Sequence, residues 1–145
     1  MKPYVIGFYG ESKTGKTTLI VKIIKELARK GFNVSSIKIS DKNICIDKDG
    51  KDTYQHSTAG ANLVILSAKN ETDFLFKDNM QANDIINCIK NFGKYDIIII
   101  EGANDEDTPK IRIGNIKKRK NTILTYDNDY NKLLNLIKDN ISRSD

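Results

Sequence analysis

Hydrophobic and polar positions along this chain change period in a regular order. Tyr4-Val5-Ile6-Gly7-Phe8-Tyr9 is a short, nearly continuous apolar run that predicts a buried strand. Leu19, Ile20, Ile23, Ile24, Leu27 and Ala28 then recur at helical spacing, with Lys22, Lys25, Glu26, Arg29 and Lys30 on the other face and Gly31 as the stop. Residues 33–39 alternate as a second strand one helix-length later, which is the βαβ pattern of a parallel sheet. Residues 41–52 are polar and charged and read as a loop at the carboxyl end of that strand. A short helix is predicted over 52–59, a third strand over 62–67 and a short fourth over 73–76. Ile85, Ile86, Ile89 and Phe92 mark one face of another helix, which Gly93 ends. Residues 95–100 form the most strand-like run, β-branched throughout Ile97-Ile98-Ile99-Ile100, as expected of a central parallel strand buried on both faces. Strands over 110–113 and 122–125 follow, and Leu133, Leu134, Ile137 and Ile141 predict an amphipathic last helix. The fold class is therefore α/β, a three-layer sandwich around a mostly parallel central sheet.

Chemistry enters at the end of the first strand. Gly10-Glu11-Ser12-Lys13-Thr14-Gly15-Lys16-Thr17 fits the phosphate-binding loop pattern G-x-x-x-x-G-K-[ST] at every fixed position, between a strand and a helix. Such a loop turns backbone N–H groups inward around phosphate oxygens and aims the positive end of a helix at the same anion. The candidate nucleotide-binding residues are Gly10, Ser12, Lys13, Thr14, Gly15, Lys16, Thr17 and Thr18. Lys16 is expected to reach the β- and γ-phosphates and Thr17 to ligate Mg²⁺, so both are the candidate catalytic residues. A second strand should end in a carboxylate for the same ion, and Glu101 ends the run that holds Ile97–Ile100. Asp96 begins that run and would lie roughly 15 Å from the carboxyl edge. Asp47, in the loop after the second strand, is a further candidate Mg²⁺ ligand.

Other features narrow the field by failing. Placing Gly50 at the sixth position of a calcium loop puts Cys45 first and His56 twelfth, neither a fitting ligand. Cys45 and Cys88 lack metal or redox spacing, and His56 is a lone histidine that reads as structural or exposed. Lys13 holds the fourth position of the motif, whereas the lysine of dimeric deviant P-loop ATPases holds the second, here Glu11. Asn131-Lys132-Leu133-Leu134 lacks the acid with which regulatory GTPases read guanine.

At 145 residues the chain predicts one nucleotide-binding domain over its whole length. No apolar run is long enough to span a bilayer and no leader precedes Tyr4, so a cytoplasmic location without membrane association is expected. The net charge of +5 raises the possibility of a nucleic-acid partner. Lys117-Lys118-Arg119-Lys120 lacks interleaved aromatics, however, and reads as a solvated turn.

Taken together, these segments resemble the MobB family, GTP-binding accessory proteins of molybdopterin guanine dinucleotide biosynthesis. The resemblance rests on the loop from Gly10 to Thr18, Ile37-Lys38, Asp47 with Gly50-Lys51-Asp52-Thr53-Tyr54, His56, Ala59-Gly60-Ala61, Glu101-Gly102 and Pro109-Lys110-Ile111. The Gly-Lys-Asp-Thr segment is its specific part. The chain departs from the family in having Ile39-Ser40 where a histidine is common, and Ala103 where an aromatic usually follows Glu-Gly. The resemblance implies GTP binding with Mg²⁺, slow hydrolysis and a homodimer. It also implies a partner, either the enzyme that joins GMP to molybdopterin or a molybdenum or tungsten enzyme. Slow hydrolysis agrees with the absence in sequence of a water-positioning glutamine beside the strand end and of an arginine near the loop. Two other functions fit parts of the sequence: a P-loop small-molecule kinase, which lacks an arginine-bearing lid here, and a basic nucleic-acid-binding module.

Overall fold

A computed structural model describes residues 2–143. The chain forms two compact units, one from the residues up to Ile39 together with those from Ala82 onward, the other from Ser40–Gln81.

The first unit contains β1 (Tyr4–Gly10), α1 (Lys16–Arg29), β2 (Val34–Lys38), α3 (Ala82–Phe92), β5 (Ile97–Glu101), β6 (Lys110–Ile113), β7 (Thr122–Thr125) and α4 (Tyr130–Arg143). Its five strands run parallel in the order β2-β5-β1-β6-β7. The crossover through α1 thus carries the chain past the place that β5 later fills between β1 and β2. Residue alternation assigns the two faces. Ile97 and Ile99 of β5 pack with Ile6, Phe8 and Ile111 beneath α1 and α4, whereas Ile98 and Ile100 pack with Ile37 and Ala103 beneath α3. All four isoleucines are fully buried. Burial of each such side chain contributes about 1.5–3 kcal/mol, so this strand anchors both layers of the sandwich.

Helix α1 ends where its sequence runs out of helix formers. Gly31 adopts φ 89°, and the amides of Gly31 and Phe32 return to the carbonyls of Ala28 and Leu27. Ala28, assigned to the apolar face from its spacing, is exposed; Leu19, Ile20, Ile23 and Leu27 carry the burial. Phe92 likewise ends α3 at 59% exposure, the apolar stripe being supplied by Ala82, Ile86 and Ile89.

The second unit contains α2 (Asp52–Thr58) and the strands β3 (Leu63–Ser67) and β4 (Thr72–Phe76). These two strands pair with each other, antiparallel, with Leu63 opposite Phe76 and Ile65 opposite Phe74. They form a separate two-stranded sheet. The four-residue connection 68–71, closed by an Ala68 N–H to Glu71 carbonyl bond, is too short for the crossover that parallel pairing needs.

Because the five-stranded sheet is parallel, Gly10, Lys38, Glu101 and Ile113 finish at one edge, Gly10 beside Ile113 and Glu101 between Phe8 and Lys38. Asp96 lies at the other end of β5, where its carboxylate accepts the Asn33 N–H at 2.6 Å.

Candidate functional site

The turn from β1 into α1 is built from the residues that the loop pattern singles out. Lys13 and Gly15 both take left-handed backbone conformations, at φ 63° and 85°, and the Thr14 hydroxyl donates to the Glu11 carbonyl at 2.7 Å. This geometry delivers the chain to Lys16 as the first residue of α1, with Thr17 and Thr18 exposed in its first turn. The amides of that turn have no preceding helical carbonyls to bond, so the loop presents donors and the positive helix end together. Lys16 is half-buried, and its ammonium donates to the carbonyls of Gly10 at 2.7 Å and Glu11 at 3.3 Å. Its charge is therefore held at the loop itself.

The end of β5 meets this turn. The Thr17 hydroxyl donates to Glu101 Oε1 at 2.8 Å, bringing together two of the three predicted metal ligands. Glu101 is partly buried. Its carbonyl accepts the Ile39 N–H at 2.9 Å, and the next amide, Gly102, donates to Phe8 at 2.8 Å. Gly102 takes φ 83°, and a Cβ there would come within 2.5 Å of the Ile39 carbonyl oxygen. Only glycine permits this exit from the strand.

The third predicted ligand, Asp47, belongs to the second unit. Its Oδ1 accepts from the Thr53 hydroxyl and the Lys48 amide, both at 3.0 Å, while its buried Oδ2 has no hydrogen-bond partner. His56 is exposed in the last turn of α2. Among the described residues, no group of three or more His, Cys, Asp or Glu side chains converges to hold a metal. The hydroxyl and carboxylate of Thr17 and Glu101 nevertheless fit Mg²⁺, a hard ion that takes one or two protein oxygens and completes its shell with water and substrate phosphates.

All four residues of the basic run are exposed, in keeping with a solvated turn, yet Arg119 and Lys120 also make specific contacts. The Arg119 guanidinium lies over the Tyr9 ring, 4.8 Å from its centroid, and donates to the Ala103 carbonyl at 2.7 Å. Lys120 pairs with Glu106 at 2.6 Å. Beneath them Lys110 is fully buried, its ammonium donating to the carbonyls of Thr108 and Lys120 at 2.7 and 2.9 Å. Burial pushes the nearby Asp105 carboxyl up, but the Thr108 amide and hydroxyl and the Lys110 charge outweigh this and hold it below the usual carboxylate range. Sequence reasoning missed Tyr9, Arg119 and Lys110. The available signal was a single arginine within a lysine run and a tyrosine directly before the phosphate loop.

The family model described as "Molybdopterin guanine dinucleotide synthesis protein B" matches residues 5–139, nearly the whole chain. The chain belongs to the MobB family. A relative from Methanocaldococcus jannaschii is 38% identical over 101 residues, covering 70% of this MobB-family chain and 41% of the relative. The molybdopterin-guanine dinucleotide biosynthesis adapter protein of Haemophilus influenzae is 35% identical over 109 residues, covering 74% of this chain and 61% of its own length. The chain thus spans less than two thirds of the length of these curated relatives. The crystal structure of Bacillus subtilis MobB superposes with a TM-score of 0.71 at 17% identity, covering 94% of this chain and 96% of that one, and so supports the same fold. Among the described residues no helix is long and apolar enough to cross a membrane.

Proposed function

We propose that this chain is a GTP-binding, slowly hydrolysing adapter in molybdopterin guanine dinucleotide biosynthesis, using Mg²⁺ and working as a cytoplasmic homodimer. The observation that carries the nucleotide reading is the 2.8 Å contact between Thr17 and Glu101 at the mouth of the phosphate loop. A hydroxyl and a carboxylate paired beside a phosphate loop support a site for a triphosphate-bound Mg²⁺. The ion would neutralise charge on the phosphates, and Thr17 and Glu101 would hold it. Lys16 would exchange its loop carbonyls for phosphate oxygens, while the amides of the loop and first helical turn orient the anion. Gly10, Ser12, Lys13, Thr14, Gly15 and Thr18 complete that surround; Asp47 is proposed as a further Mg²⁺ ligand.

Slow hydrolysis is supported by the partners that three arginines of the sheet unit already hold. Arg29 pairs with Glu26 at 2.9 Å, Arg112 donates to the Thr125 hydroxyl and the Ile116 carbonyl, each at 3.0 Å, and Arg119 donates to the Ala103 carbonyl. An arginine aimed at the transferred phosphate accelerates such reactions by about a thousandfold or more, so a site lacking one acts as a binder. The adapter role rests on family membership, and its partner is proposed to be the enzyme joining GMP to molybdopterin or a molybdenum or tungsten enzyme. Calorimetric titration with GTP, GDP and ATP in the presence of Mg²⁺ tests the nucleotide. Tighter binding of GTP is expected; a clear preference for ATP would overturn the guanine assignment.

A further inference from the structure

Arg119 closes a small network behind the nucleotide site. Its backbone N–H donates to the Tyr9 hydroxyl at 3.0 Å, and the Thr122 hydroxyl donates to the Arg119 carbonyl at 2.6 Å. Thr122 has one proton to give, so in the remaining 2.6 Å contact Tyr9 must donate to Thr122 Oγ1. Three hydrogen bonds thus form a ring through the backbone of Arg119, leaving its side chain directed by a fixed turn. That side chain covers the Tyr9 ring and grips the Ala103 carbonyl.

Both ends of this grip adjoin the site. Tyr9, 1% exposed, directly precedes Gly10 of the phosphate loop. Ala103 comes two residues after Glu101, at the point where the chain has left the sheet. Ala103 is fully buried, and a Cβ on Gly7 would meet its Cβ at 2.3 Å, so it fills the gap that the glycine leaves on β1. The peptides after Glu101 are therefore held by the Phe8 carbonyl, by packing on Gly7 and by Arg119. Of these, only Arg119 reaches in from outside β1 and β5. A guanidinium suits the task because it can stack on a ring while donating in its own plane.

We propose that Arg119 is a positioning residue of the nucleotide site, which acts through Ala103 and Tyr9 to hold Glu101 in register with Thr17 for Mg²⁺. This rests on the nucleotide reading above and deepens it. The effect belongs to the metal-dependent part of binding, because Glu101 is the group being held, while the phosphate loop keeps its own contacts.

The test is titration of the full chain with GTP, in EDTA and across a range of Mg²⁺ concentrations, for the unmodified protein and for Arg119→Ala, Arg119→Lys and Tyr9→Phe. For Arg119→Ala, the Mg²⁺ concentration giving half of the metal-dependent tightening should rise about tenfold, with GTP affinity in EDTA unchanged within about twofold. Arg119→Lys, which keeps a cationic donor, should recover part of that shift. Tyr9→Phe keeps the ring and removes the hydroxyl, and should shift the Mg²⁺ requirement by about threefold; it decides the matter if Arg119→Ala does not fold. An unchanged Mg²⁺ requirement in a folded variant, beside a normal response of the unmodified protein, overturns the proposal alone. Equal weakening with and without Mg²⁺ overturns it in favour of a purely structural role. No Mg²⁺-dependent GTP binding by the unmodified protein overturns the nucleotide reading as well.

Discussion

Thr17 and Glu101 are 84 positions apart in sequence and 2.8 Å apart at the sheet edge, and they divide the work with Lys16 by charge. In the proposed site Lys16, a cation held by carbonyls, would serve the phosphates with or without a metal, whereas Glu101, an anion, would assist them only through a cation. Replacing Lys16 with alanine should weaken GTP binding between about 10- and 150-fold, the range for losing charge-assisted hydrogen bonds. The melting temperature should scarcely change, since the side chain is half-buried and makes no core contact. GTP titration with parallel thermal melting checks this, and unchanged affinity would remove Lys16 from the site. Glu101→Gln should leave affinity in EDTA within about twofold of the original and abolish most of the gain on adding Mg²⁺. Equal losses with and without metal would make Glu101 structural. The loop motif made Lys16 and Thr17 legible in sequence because its spacing encodes a local turn. Arg119 stands out in sequence only as the single arginine of a lysine run; its stacking on Tyr9, 110 positions away, is encoded by no local pattern.

Elements were legible to the extent that their burial is one-sided or complete. The all-isoleucine β5 announces a central strand, and the 3.6-residue stripes of α1 and α4 announce the helices that cover one face of it. The partner of each strand was not legible. Strands β3 and β4 read from sequence as further strands, but only the length of their connection separates an antiparallel ribbon from additions to the parallel sheet. The exit of β5 is where local conformation and function meet. Gly102→Ala would force a side chain to φ 83° and to within 2.5 Å of the Ile39 carbonyl oxygen. Strain of this kind costs about 1–3 kcal/mol, and relief requires moving Glu101 or the end of β2. Chemical denaturation should therefore register a loss of about 2 kcal/mol, accompanied by a weaker Mg²⁺ response. A variant as stable as the original protein would show that this turn has room to relax.

At the scale of the whole molecule, the unit formed by Ser40–Gln81 has the least to hold it together from within. Among its described residues Val64 is the buried hydrophobic side chain. Leu63, Ile65 and Phe76 fall on one face of the ribbon by register, each about half exposed, at 47%, 50% and 48%. A two-stranded ribbon is marginal alone, and a contiguous apolar face of this kind is normally covered by a partner. A homodimer supplies the cover most economically: a second copy carries the same face, and two-fold pairing sets each patch against its equal. Sedimentation equilibrium should accordingly find a dimer, and Ile65→Glu combined with Phe76→Glu should convert it to a monomer that binds GTP with unchanged affinity. That last condition, read in EDTA so that the proposed ligand Asp47 of the same unit plays no part, separates assembly from the phosphate contacts, since neither residue belongs to the unit containing Lys16, Thr17 and Glu101. A monomeric unmodified protein would remove the homodimer from the proposed function, and a dimer insensitive to both glutamates would place its interface on another surface.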